Sequence, residues 1–203
     1  MITTAQIFNQ IKNQIKSDDF SHKAAVFIPL IRDEYDRLNI LFEVRAATLR
    51  WQPGDICLPG GKMEARDHSA IDTAIREMIE ELGLPAEKIK IYGQLPAFIS
   101  AVGFEIYPVV GELTCQQFRL NKDEVAQTFT VPLEWFIKNP PRKTAMEVAH
   151  KPATDFPFEL LPNQAKDWQK RSQHDIYVYH YQNFVIWGLT AHIIQLFLHT
   201  INS

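Results

Sequence analysis

The stretch Leu49–Leu84, LRWQPGDICLPGGKMEARDHSAIDTAIREMIEELGL, decides how the chain is read. Asp55–Leu58 is a short strand candidate that breaks on Pro59-Gly60-Gly61, where glycines let the backbone approach a ligand closely. From Ser69 to Leu82, the residues Ile71, Ala74, Ile75, Met78 and Leu82 share one stripe at helical spacing, which predicts an amphipathic helix. At 100° per residue, Glu77, Glu80 and Glu81 occupy an arc of ~100° on the opposite side. Arg76 stands four residues before Glu80, the spacing at which it can pair with that carboxylate and hold its rotamer. Gly83 falls where a left-handed residue ends a helix.

Three carboxylates within one turn repel one another unless positive charge sits among them. On an ordinary surface, water and a few lysines supply the screening, and such a face is merely solvated. Here a double-glycine loop feeds the helix, and the helix's other face is cleanly apolar. That combination points to a Mg²⁺ or Mn²⁺ site, because hard cations take clustered carboxylate oxygens.

Outward from this core, Lys23–Ile31 and Leu38–Val44 are apolar and β-branched around a polar turn, the pattern of an antiparallel hairpin. Arg45 and Arg50 follow, close enough in sequence to the glycine loop to meet phosphate oxygens bidentately. Ile89–Leu95, Glu105–Leu113, Thr128–Pro132 and Ile176–Tyr181 read as strands, and Leu133–Phe136 as a short helix. Residues 142–175, rich in proline and mixed charge, read as a long loop or β-excursion. The C-terminal segment, 184–201, turns helical from Gly188, with Leu189, His192, Ile193, Leu196 and Phe197 as its packing stripe. His192 is expected there as a core or groove histidine rather than a ligand. Residues 4–16 predict an amphipathic helix within the N-terminal segment 1–20.

With 203 residues, 46% of them hydrophobic and 22% charged, the chain has the make-up of one soluble globular domain spanning 1–203. A net charge of −3 excludes a broad basic footprint for nucleic acid. Anionic small molecules stay open, since a local arginine cluster or a bound metal reverses the field in one cleft. Cys57 and Cys115 lie in apolar runs without a CxxC pair, so buried, reduced thiols are expected. No apolar run reaches the ~18 residues of a membrane span, and no signal-peptide core is present, so the expectation is cytoplasmic. Apolar faces on the terminal helices suit either a monomer or a homodimer.

The run Gly61–Leu84 resembles the Nudix box, a glycine and spacer followed by R-E-U-x-E-E-x-G-U with U aliphatic. Arg76-Glu77-Met78-Ile79-Glu80-Glu81-Leu82-Gly83-Leu84 fills the second half completely. In the first half, Asp67 stands where glutamate is usual, and the spacer to Arg76 is one residue longer. That longer spacer is similar to the coenzyme A diphosphatase branch, as is the upstream run Leu41–Gly61. There Arg45, Arg50, Gly54 and Pro59-Gly60-Gly61 fit that branch's signature, with Leu58 in place of its usual phenylalanine. Asp123-Glu124-Val125, Val131–Trp135 and Ile186–Ala191 also look like this branch.

The resemblance implies an α+β fold, an α/β/α sandwich with a mixed β-sheet, and hydrolysis of the diphosphate bond of coenzyme A or a related small molecule. It implies Mg²⁺ or Mn²⁺ held by Glu77 and Glu81, with Glu80 taking part and the Gly61 carbonyl joining. Glu124 is the candidate further acid, completing the site or activating water. Arg45 and Arg50 are expected on phosphate groups beside Gly60 and Gly61, Arg76 is expected to orient Glu80, and Lys62 is expected to add charge. The rivals are a Nudix diphosphatase for ADP-ribose, a nucleotide sugar or a dinucleoside polyphosphate, and a non-catalytic nucleotide-binding module. Loss of box glutamates would mark the module, and all three are present.

Overall fold

A computed structural model describes residues 22–161 and 163–202, so the helix predicted at 4–16 lies outside the described residues. The layering follows from side-chain alternation on two strands, β1 (Lys23–Arg32) and β2 (Leu38–Arg45), which form the expected antiparallel hairpin. On β1, Ala25, Phe27 and Ile31 face one side and Ile28 and Leu30 the other, because successive strand residues point to opposite faces. The first set packs under helix α1 (Ala70–Leu82) together with Ala74, Met78 and Leu82. The second set meets α3 (Gly188–Ile201) through Ala191, Ile193, Ile194 and Phe197.

Short strands β3 (Ile56–Cys57) and β4 (Gly60–Lys62) carry the glycine run along the sheet. They are followed by β5 (Ile89–Gln94), β6 (Phe98–Ile99), β7 (Glu105–Leu113) and β8 (Val125–Pro132). The main order is β3-β2-β1-β7-β5, with β4 on β1, β6 on β7 and β8 on β2. Since β1 and β7 run parallel and the other pairs antiparallel, the sheet is mixed and lies between helical layers. The expected α/β/α sandwich is therefore what the chain adopts.

After α2 (Leu133–Lys138), residues 142–181 are a β-excursion, and the strand ending at Tyr181 is longer than its expected start at Ile176. β9 (Arg142–His150), β10 (Gln169–Tyr181) and β11 (Phe184–Trp187) form a second, three-stranded sheet. β9 is exposed throughout, so no inside–outside alternation marks it in the sequence. The stripe expected on α3 is displaced. Thr190, Ala191, Ile193, Ile194, Phe197 and Leu198 are buried, whereas Leu189 is 42% exposed. Thr190 Oγ1 donates to the Ile56 carbonyl at 3.1 Å, which helps set this rotation. His192 is exposed, its ring resting against Phe98 and Tyr177 rather than entering the core. Both cysteines are free and only partly buried, because Cys57 sits on a two-residue edge strand and Cys115 just beyond β7. No helix among the described residues is long and apolar enough to cross a membrane.

Candidate active site

α1 is capped at both ends by its own sequence. Ser69 Oγ accepts from the Asp72 N–H at 3.1 Å, and Gly83, at φ +61°, returns its N–H to the Ile79 carbonyl at 2.9 Å. With its apolar face on the sheet, the helix meets β4 along its acidic side. Three consecutive β4 residues engage it in turn. The Gly60 N–H donates to Glu81 Oε2 at 3.0 Å, and the Lys62 carbonyl accepts from Arg76 Nη2 at 3.0 Å. Between them, a Cβ on Gly61 would fall 2.3 Å from Glu77 Oε1, so any side chain there would push the Glu77 carboxylate aside.

Arg76 organises the helix face. Its Nη1 lies 2.6 Å from Glu77 Oε1 and 3.1 Å from Glu80 Oε2, so the expected contact with Glu80 is present alongside a shorter one. The other side of the guanidinium grips Asp67, which also accepts from the Thr73 hydroxyl and the Glu64 N–H. These partners hold the Asp67 carboxyl well below the usual carboxylate range, the Arg76 hydrogen bond contributing most. The three box glutamates occupy different environments. Glu80 is exposed and shared between Arg66 and Arg76, whereas Glu81 is only 6% exposed. The expectation of one outward acidic face is thus corrected, because β4 covers Glu81 and leaves Glu80 at the rim.

Behind Glu81 lies a carboxylate that the sequence analysis did not single out. Glu43 is 1% exposed in the middle of β2. Burial first, then the charge of Glu43, pushes the Glu81 pKa up against the Gly60 N–H. Burial likewise raises Glu43, opposed by Arg45 and reinforced by Glu124 and Glu77. Glu77 is raised by burial despite its contact with Arg76. Glu124 reaches this group because the segment before β8 docks on the end of α1. The Arg119 and Asn121 N–H groups donate to the Leu82 and Glu81 carbonyls at 2.9 Å, and the Ala46 N–H donates to the Glu124 carbonyl at 2.8 Å.

Of the expected phosphate-binding residues, Arg45 ends β2 and donates through Nε and Nη2 to the Trp51 carbonyl at 3.3 Å. Arg50 is exposed on the same loop. Lys62 is exposed, with Nζ 5.3 Å from the Phe104 ring centre. The sequence held a usable signal for Glu43. It is an acid inside an apolar strand, and period-two alternation puts it on the same face as buried Leu41.

The donor set fits a hard dication. Glu77, Glu81 and Glu124 offer only oxygen ligands, their charges and that of Glu43 behind them disfavour one another, and Glu43 Oε1 is buried with no hydrogen-bond partner among the described residues. Ligation geometry is not already set, since no three His, Cys, Asp or Glu groups converge at metal-holding distances among the described residues. Instead, Arg76 supplies the positive charge at Glu77.

Residues 21–171 match the NUDIX domain family. The chain belongs to the Nudix family. A Pectobacterium atrosepticum protein named "Uncharacterized Nudix hydrolase NudL" is 35% identical over 175 residues, covering 85% of this chain and 79% of its own. The Photorhabdus laumondii protein of the same name is 32% identical over 202 residues, covering 96% of each. Among solved structures, a MutT/nudix family protein from Enterococcus faecalis aligns with 99% of this chain and 70% of its own. Its TM-score is 0.51 at 16% identity, a likeness of fold alone. As a Nudix hydrolase the protein is an enzyme, and hydrolases of this family act on nucleoside diphosphate derivatives, generally with divalent metals.

Proposed function

We propose that this Nudix hydrolase cleaves the diphosphate bond of coenzyme A or its derivatives, giving 3′,5′-ADP and 4′-phosphopantetheine or the acyl form. The observation that carries the choice of substrate is the run Arg45–Gly61, with Arg45, Arg50, Gly54 and Pro59-Gly60-Gly61 at the intervals of the coenzyme A diphosphatase signature. In support, that run ends on β4, directly against Glu77 and Glu81, and ties Arg45 to the Trp51 carbonyl on the way.

A diphosphate bridge resists attack because anionic oxygens surround each phosphorus. A divalent cation, Mg²⁺ or Mn²⁺, supplies charge neutralisation and makes a nearby water more acidic. Glu77 and Glu81 would hold it with the Gly61 carbonyl, and Glu80 would take part from the rim. Arg76 keeps Glu77 and Glu80 in their rotamers. Glu124 receives the proton as the water oxygen bonds to one phosphorus and the bond to the bridging oxygen breaks. Arg45 and Arg50 bind the phosphate oxygens, and Lys62 and the backbone of Gly60 and Gly61 border them. Positioning and charge stabilisation make up most of what phosphoryl chemistry requires.

The test is a hydrolysis screen with Mg²⁺ or Mn²⁺ over coenzyme A, its thioesters, ADP-ribose and dinucleoside polyphosphates, with products identified by mass. Appearance of 4′-phosphopantetheine supports the assignment. Cleavage of ADP-ribose with coenzyme A left intact overturns it in favour of another diphosphate.

A further inference from the structure

Glu43 is an expensive residue for a β-strand interior. It lies on β2 between buried Phe42 and half-buried Val44, in a stretch otherwise apolar from Ile40. Leu41, two residues before it, belongs to the core beneath α1, so strand alternation directs the Glu43 carboxylate to that same side. Its cross-strand partner is Cys57, whose Sγ lies 3.9 Å from Glu43 Oε2. Oε1 is buried and has no hydrogen-bond partner among the described residues. Among neighbouring charges, Glu43 is the one acting most strongly on Glu81. An apolar residue would fill this place without leaving a polar oxygen unpaired. A carboxylate with a free oxygen is suited to a place where positive charge arrives from elsewhere.

We infer that Glu43 is a positioning residue of the metal centre, a buried carboxylate behind Glu81 whose charge raises the cluster's affinity for a divalent cation. The inference rests on the reading of Glu77 and Glu81 as the groups that hold the cation. Groups that support metal ligands from behind typically contribute 10–100-fold in metal affinity.

The experiment measures Mn²⁺ binding from the loss of the free-ion EPR signal, with no substrate present, and melting of the full chain in chelator. Glu43→Gln is isosteric and neutral. It is expected to bind Mn²⁺ about tenfold more weakly than wild type, or worse, while melting in chelator at the same temperature or higher. Glu43→Asp, which keeps the charge but withdraws it by one methylene, is expected to lose less affinity. It carries the comparison if the glutamine variant does not fold. Wild type and Glu43→Gln binding Mn²⁺ equally would overturn the role of Glu43 and leave Glu77 and Glu81 untouched. Failure of wild type itself to bind Mn²⁺ would overturn both. A marked fall in melting temperature in chelator, with Mn²⁺ affinity kept, would make Glu43 a structural residue only.

Discussion

Arg76 and Asp67 form a two-pronged ion pair, Nε to Oδ1 at 3.1 Å and Nη2 to Oδ2 at 2.9 Å. Both side chains are largely buried, at 13% and 4% exposure. The pair fixes the guanidinium that in turn holds Glu77, Glu80 and the Lys62 carbonyl. Aspartate is short, but the loop between β4 and α1 brings it to its partner, with the Glu64 N–H and Thr73 hydroxyl completing its shell. Asp67→Asn is therefore expected to lower unfolding free energy by about 1.5–3 kcal/mol, the range for hydrogen bonds to charged groups. Urea denaturation checks this, and turnover should fall in the same variant as Glu77 loses its fixed neighbour.

The pH dependence of stability should carry two opposite signatures. Asp67 has a depressed folded pKa, so its contribution is present above the ordinary carboxylate range of about 4 and is lost as pH falls through the folded value. The stability gap between wild type and Asp67→Asn should narrow as pH drops below about 4. Glu81 has a raised folded pKa, so without metal its ionisation costs stability as pH rises past the ordinary glutamate range. In chelator, wild type should lose stability from about pH 5 toward neutrality, and Glu81→Gln should lose less. Denaturation curves across pH read both.

Glu77→Gln and Glu81→Gln should each reduce turnover with Mg²⁺ by about a hundredfold or more, while the fold stays intact. Glutamine at position 81 keeps an acceptor for the Gly60 N–H and removes a buried charge, so melting in chelator should not fall. Steady-state kinetics alongside thermal melting separates the two effects. Near-wild-type turnover in either variant would remove the metal role from that glutamate.

Gly61→Ala should cost activity through contact rather than charge. The added methyl meets the Glu77 carboxylate from 2.3 to 2.8 Å, so the side chain has to leave its place. Because only the end of a flexible side chain has to move, stability should fall by less than about 1 kcal/mol, below the cost of overpacking a core. Turnover should fall more than stability does, measured by kinetics and urea denaturation on one preparation.

What the sequence disclosed was mostly local. The hairpin, α1 with its glycine stop, and the i,i+4 contact between Arg76 and Glu80 depend on neighbours along the chain, and all were legible. The difference between Glu80 and Glu81 was legible only in part. Glu81 recurs one heptad after buried Ala74 and so flanks the apolar stripe, but the strand that closes over it, β4, arrives from elsewhere in the chain. Alternation on β2 pointed Glu43 inward, but what it faces there was hidden, since its neighbours in space come from α1 and from the turn before β8. β9 and the first half of β10 left no apolar alternation because they are exposed, whereas the half from Ile176 to Tyr181 was legible as a strand. On α3, consecutive buried pairs such as Ile193 and Ile194 shifted the stripe and left His192 outside.

The most direct measurement is kcat/KM for coenzyme A against ADP-ribose, at saturating Mg²⁺, with products weighed by mass spectrometry. The value for coenzyme A should be about tenfold higher or more, equivalent to some 1.4 kcal/mol of differential transition-state stabilisation, with 3′,5′-ADP and 4′-phosphopantetheine as products. A higher value for ADP-ribose, with coenzyme A recovered whole, would contradict it.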